Sequence, residues 1–190
     1  MAYTTIPKSS ANFSTNLYTG TGSNLTINTG HQSDLIWIKQ RATSRPNCLF
    51  DSVNSSNFAG GNSKYLVSNT YDPLTSDNST QITANSSTGF SIGTDNSDQI
   101  NNNGDTAVAW SWKANGAGSS NTDGSITSTV SVDTTSKCSI VKFTASGSGG
   151  TVGHGLGVAP KAIIFKRLDA ASDWAFYHES LGNVNMCFLN

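Results

Sequence analysis

A chain of 190 residues is long enough to bury a core in one large or two small domains. Only 12 % of its residues are charged and the formal net charge is −1, so no polybasic face is implied and nucleic acid is not expected as a partner. The longest apolar run, Ala162 to Phe165, is strand-sized, which predicts no membrane insertion. The opening string MAYTTIPKSS has no basic stretch followed by an apolar one, so no secretory signal is expected. Ser, Thr and Asn make up more than a third of the chain, which disfavours helix and favours short strands joined by side-chain-capped turns. Four Trp, eight Phe and five Tyr supply the buried area that a disordered chain lacks.

Strand-like windows follow one another from the N-terminus. NFSTNLYTG ends at Gly20 and NLTINTG at Gly30. DLIWIKQR has apolar residues on both faces, with Leu35 and Trp37 on one and Ile36 and Ile38 on the other, which predicts a central, doubly covered strand. NCLFDSV and KYLVSN follow across a Gly/Asn/Ser loop from Asn54 to Asn62; a polar stretch then runs from Thr70 to Ser79. GFSIGT and TAVAWSWKA close a first unit over residues 1–114. In TAVAWSWKA, Val108, Trp110 and Trp112 alternate with Ala107, Ala109 and Ser111, and the aromatic side is expected to face the core. Residues 115–125, NGAGSSNTDGS, carry no large apolar side chain and read as a linker or long exposed loop.

Residues 126–190 read as a second, shorter copy of the same β unit. LYTGTGSN matches KFTASGSG, DLIWIKQR matches KAIIFKRL, NCLFDS matches WAFYHE, and KYLVSN matches MCFLN, in the same order. Gly30, Ile36 and Lys39 fall on Gly157, Ile163 and Lys166 at one offset. The glycines are expected to make the tight turn that feeds a buried strand in both copies, and the two strands to be equivalent and central. Pro160 stands at the start of the second of them, where a missing N–H is tolerated. The second copy has no counterpart of GFSIGT or AVAWSWKA, so the reading predicts either truncation or a sheet completed on something else.

Several strings resemble a known family. MAYTTI, LYTGTGSN…DLIWIKQR, KYLVSN, GFSIGT, AVAWSWKA, SIVKFT and GTVGHGL…APKAIIFKR…DWAFYHESLG are similar to strings in tail-fibre-like virion structural proteins of tailed bacteriophages of the marine and cyanobacterial type. The resemblance covers nearly the whole chain and keeps the order of motifs. It implies a structural role in the virion, with assembly in the host cytoplasm, and carries no catalytic residue.

Candidate chemistry is sparse. His31, His154 and His178 are the three histidines; two lie in Gly-flanked turns and one in an aromatic strand, so no metal site is expected. Asp95, Asp98 and Asp105 lie in an oxygen-rich loop but lack a calcium-loop pattern, and are expected to cap their own turns. GSGGTVGHGLG lacks the spacing of a phosphate loop, no Gly-x-Ser-x-Gly elbow occurs, and Glu179 is the only glutamate. Cys48, Cys138 and Cys187 form no metal or redox pair and read as buried reduced thiols. No catalytic residue, metal or cofactor is therefore expected.

The tryptophans remain. Trp37, Trp110, Trp112 and Trp174 are candidates for stacking sugar rings, Trp37 and Trp174 foremost, although their apolar strands favour core packing. Met186 and Phe188, near the edge left open by the shorter copy, are candidate interface residues. The fold expected is all-β, an antiparallel sandwich or jelly roll with an internal repeat. The function expected is that of a tail-fibre-like virion protein that assembles with other virion proteins and with copies of itself. A carbohydrate-binding adhesion module for host-surface glycans and a capsid decoration protein are the alternatives, and an enzyme ranks last.

Overall fold

The computed structural model describes residues 8–61, 63–76, 82–95 and 97–190; the string MAYTTI and residues 77–79 of the polar stretch lie outside them. Among the described residues the first unit contributes nine strands: β1 (Phe13–Thr19), β2 (Leu25–Asn28), β3 (Leu35–Gln40), β4 (Cys48–Asp51), β5 (Lys64–Val67), β6 (Thr75–Ser76), β7 (Ile82–Ser86), β8 (Gly89–Ile92) and β9 (Thr106–Trp112). Six of them form one antiparallel sheet in the order β1-β9-β3-β4-β5-β6, and the other three a second sheet in the order β2-β8-β7. The fold is all-β, as the turn-rich, helix-poor composition predicts.

The two sheets make a sandwich because each brings an apolar face to the same core. Ile36, Ile38, Cys48, Phe50, Tyr65 and Val67 from the large sheet meet Ile27, Ile82, Phe90 and Ile92 from the small one, with Phe58 filling from the 3-10 helix Ser56–Gly61 and Ile100 from a loop. Strand β3 sits third of six, so the doubly apolar pattern of LIWIKQ matches a central strand.

Strand β9 reverses an expectation. Its three large residues do share one face, but that face is not the sandwich core. Ala107, Ala109 and Ser111 point into the core; on the other side Val108 is buried, as expected, but Trp110 and Trp112 are only half-buried. The reason is volume. Strand β9 lies between β1 and β3, over a core already filled by Phe50, Phe58 and Phe90, all fully buried. Only small side chains fit beneath them at interior packing density.

The second half contributes β10 (Ser119–Asn121), β11 (Ser128–Asp133), β12 (Cys138–Phe143), β13 (Ala162–Phe165), β14 (Ala175–His178) and β15 (Cys187–Phe188). They form two three-stranded antiparallel sheets, β10-β11-β12 and β13-β14-β15. Residues 115–125 are thus no free linker. Strand β10 lies inside the stretch, and its start is tied down: Asn115 N donates to Ser131 Oγ (2.8 Å), and Ser52 Oγ donates to the Gly116 carbonyl (2.6 Å). Backbone hydrogen bonding orders a polar segment that has no large apolar residue to bury.

The repeat is present in the hydrogen-bond pattern. Strand β3 pairs β4 as Leu35↔Asp51, Ile36↔Phe50, Trp37↔Leu49 and Ile38↔Cys48. Strand β13 pairs β14 as Ala162↔His178, Ile163↔Tyr177, Ile164↔Phe176 and Phe165↔Ala175, the same register moved along the chain by a constant step. The third strand follows with a shorter loop: Cys48↔Val67 and Leu49↔Leu66 recur as Ala175↔Phe188 and Phe176↔Cys187. Bonds outside the ladders recur too. Ser52 N donates to Asp34 O and Glu179 N to Lys161 O; Ser68 N donates to Asn47 O and Leu189 N to Trp174 O. Asn69 and Asn190 each accept, through Oδ1, the backbone N–H of Asn47 and of Trp174. Lys39 Nζ donates to Arg45 O (2.7 Å) and Lys166 Nζ to Ser172 O (2.5 Å). Gly30 (φ 81°) and Gly157 (φ 69°) both take the left-handed conformation that a side chain disfavours, at the turn that feeds each strand. One expectation needs correction. Strand β3 is flanked by β9 and β4, whereas β13 ends its sheet, so the two are equivalent in pairing but β13 is not central.

Candidate functional site

Two surface features stand out, and both lie where the sheets are incompletely covered. The first is the outer face of the large sheet. Register puts Phe13 beside Trp112, Trp112 beside Leu35, and Trp110 between Thr15 and Trp37. The Trp37 and Trp110 rings meet edge-on at 6.0 Å, and Phe13 and Trp112 lie 5.0 Å apart. Trp37, Trp110 and Trp112 with Lys39 and Asn47 line an open cleft of about 470 Å³. The Lys39 ammonium is anchored to the Arg45 carbonyl, which fixes one wall.

The other half of that face is covered from within the chain. Trp174 packs on Leu49 and Leu66, with Leu35, Trp37, Leu74 and Leu168 around it. Its indole N–H donates to the Val67 carbonyl (3.1 Å) and Lys166 Nζ lies 5.8 Å from the ring. Main-chain bonds from Leu74 N to Leu168 O and from Ser172 N to Tyr71 O hold the covering segment in place. Trp174 is therefore not a sugar-stacking residue: its ring is buried and its polar atom is used. Trp37 retains that geometry at the cleft, and Trp110 and Trp112, which core packing was expected to hide, join it.

The second feature is the face of β13–β15 that corresponds to the sandwich core. Ile36, Ile38, Phe50, Tyr65 and Val67 correspond by register to Ile163, Phe165, Tyr177, Met186 and Phe188. Ile38, Tyr65 and Val67 are 0 %, 5 % and 8 % exposed; Phe165, Met186 and Phe188 are 48 %, 60 % and 55 % exposed. Among the described residues no second sheet lies over this face as β2-β8-β7 lies over the first. Met186 and Phe188, the candidate interface residues, are both on it.

The remaining candidates are explained by local bonding. His31 is buried, its ring nitrogens facing Ser111 Oγ (2.9 Å) and the Ser10 carbonyl (3.2 Å). Ser33 Oγ donates to Ser111 Oγ, so a hydroxyl cluster surrounds the ring under the sheet. That cluster was not visible in the sequence, because β1, β3 and β9 must assemble before Ser111 meets His31. His154 accepts from Leu156 N, and His178 is bonded within its own turn to Ser180; the three histidines do not converge. Asp95 accepts from the N–H groups of Ile100 (2.6 Å) and Asn101 (3.0 Å), Asp105 from Asn102 Nδ2, and Asp98 lies beside Arg45. Among the described residues no group of His, Cys, Asp and Glu is arranged to hold a metal, and no helix is long and apolar enough to cross a membrane. Burial pushes the Cys48 thiol up to about 12 and the Cys138 thiol to about 11, but Cys138 is only partly buried and Cys187 is exposed, contrary to the expectation of three buried thiols.

No curated protein and no solved structure matches the chain. A family profile, described as a domain of unknown function, DUF7483, matches residues 8–190. The two-sheet first unit with its cleft and the shorter repeat are thus features of one matched region, and the chain belongs to the DUF7483 family.

Proposed function

We propose that the chain is a non-catalytic structural protein of a tailed-bacteriophage virion, tail-fibre-like, that assembles with other virion proteins through its second unit. The observation that carries this reading is the exposed apolar face with Met186 and Phe188, built on a repeat whose first copy buries the same positions. A soluble protein avoids leaving such a face uncovered, and incorporation into a particle covers it. The resemblance of the ordered motifs to virion proteins supplies the setting; a nearly neutral surface suits a particle exposed to many competing charges. Mass spectrometry and cryo-electron microscopy of gradient-purified particles test it. The chain is expected in stoichiometric amounts with residues 162–188 against a neighbour. Its absence from infectious particles overturns the proposal.

The cleft favours a second reading, adhesion to host-surface glycans. Half-exposed rings of Trp37, Trp110 and Trp112, a carboxamide at Asn47 and an anchored ammonium at Lys39 offer stacking faces and a few polar groups, the usual make-up of a small-ligand site. A glycan array with the wild-type chain and Trp110→Ala decides it. Retention of a saccharide class by the wild type, lost at least about tenfold in the variant, supports adhesion; no retention on any glycan removes it.

A further inference from the structure

We infer that the free edge of β13 takes up a β-strand from a separate polypeptide, and that this strand has the small–large alternation of β9. The repeat specifies the missing element. In the first unit β9 runs antiparallel beside β3, placing Ser111 opposite Ile36 and Ala109 opposite Ile38. It also bonds β1 on its other edge. By the same register the counterparts of Ile36 and Ile38 are Ile163 and Phe165 on β13, and the sequence counterpart of β1 is β12. Strand β13 ends one sheet and β12 ends another, and among the described residues no strand pairs with either free edge.

An incoming strand with small residues opposite Ile163 and Phe165 would extend β13-β14-β15 as β9 extends β3-β4-β5. It would place its small side chains over the apolar face and its larger ones on the outer side. Main-chain bonds to the open ladder would give affinity, and the size alternation would give register. A second copy of this chain has no such strand to lend from its described residues: β9 carries the pattern, and it is already bonded on both edges within its own sheet. This inference rests on the repeat and not on the virion reading.

The test uses the full chain and a labelled peptide with the sequence of residues 105–114, DTAVAWSWKA. A scrambled peptide of the same composition, with the alternation broken, is the control. Fluorescence anisotropy is expected to show saturable binding, at least about tenfold weaker for the scrambled peptide. Hydrogen exchange is expected to slow in residues 162–165 and not in 35–40. Ile163→Lys, on the same edge, is expected to abolish binding, with its fold checked by near-ultraviolet circular dichroism; if that variant does not fold, the scrambled control and the exchange pattern decide. Equal binding of both peptides, no binding, or protection at β3 in place of β13 overturns the inference. So does concentration-dependent self-association, in sedimentation, that slows exchange in residues 162–165 without peptide. Absence of the chain from phage particles, by contrast, removes only the virion reading and leaves the peptide result standing.

Discussion

Two buried side chains carry the clearest consequences at the scale of single residues. Asp51 lies under Asn54, whose backbone N–H and Nδ2 each donate to its carboxylate at 2.7 Å. Burial nevertheless wins, and the pKa of Asp51 is raised. The folded state then holds this proton more tightly than the unfolded chain does, so the contribution of Asp51 to stability falls as pH rises above its unfolded value of about 3.9. Denaturant melts taken upward from about pH 4 are expected to show that part of the slope in the wild type and to lack it in Asp51→Asn. An identical slope in both proteins refutes the assignment. The thiols give a kinetic test. Cys48 is sealed in the core and its thiolate is disfavoured, first by desolvation and then by Asp95, while Cys187 is exposed. A thiol-specific disulfide reagent at neutral pH should label Cys187 in the native protein within the mixing period, Cys138 slowly, and Cys48 only after unfolding. Fast native labelling of Cys48, located by peptide mapping, contradicts its placement.

At the scale of elements, the alternation in β9 was legible and its direction was not. Period two is written in TAVAWSW, but hydropathy assigns the tryptophans to the core, whereas the available volume assigns Ala107, Ala109 and Ser111 to it. Which face turns inward depends on what distant segments bring to the core, here Phe90 from the facing sheet and Phe58 from a 3-10 helix, and no window of β9 contains that information. Strand β3 was easier, because a strand apolar on both faces is central whichever way it turns. The repeat was legible for the same kind of reason: paired turn glycines, matching strand order and a lysine at the same place in each strand constrain pairing locally. The position of β13 at an edge was not legible, since it depends on what does not pair with it. Mutants can separate volume from hydropathy. Ala109→Leu is expected to destabilise by about 1–3 kcal/mol or more through overpacking. Trp110→Ala should cost less than the roughly 3–5 kcal/mol of a fully buried aromatic, because its ring already faces the cleft. Urea melts of the two variants decide it, and a cost for Trp110→Ala above that for Ala109→Leu reverses the assignment of faces.

For the whole molecule, the decisive contact is one between the two copies of the repeat. Position 47 in the first copy is an asparagine whose side chain lines the cleft, while its counterpart in the second is Trp174. The same backbone hydrogen bonds hold both, but Trp174 reaches back across Leu49 and Leu66 and bonds the Val67 carbonyl of the other copy. The second unit thereby shields part of the first unit's outer face and sets where the open cleft begins. Replacing Trp174 removes a buried ring that the surrounding leucines cannot refill, so Trp174→Ala is expected to cost about 3–5 kcal/mol. Trp174→Phe keeps most of the apolar area and loses the bond to Val67, whose carbonyl still accepts from Thr70 N; it should cost less, about 0.5–1.5 kcal/mol for the lost hydrogen bond plus the lost ring volume. Both variants should also raise hydrogen exchange at 168–174 and at 71–74, because the main-chain bonds between those segments depend on the ring that pins them. A stability loss without faster exchange at 71–74 would mean that Trp174 packs only within its own unit. No change in either measurement would mean that the two units fold side by side without this contact.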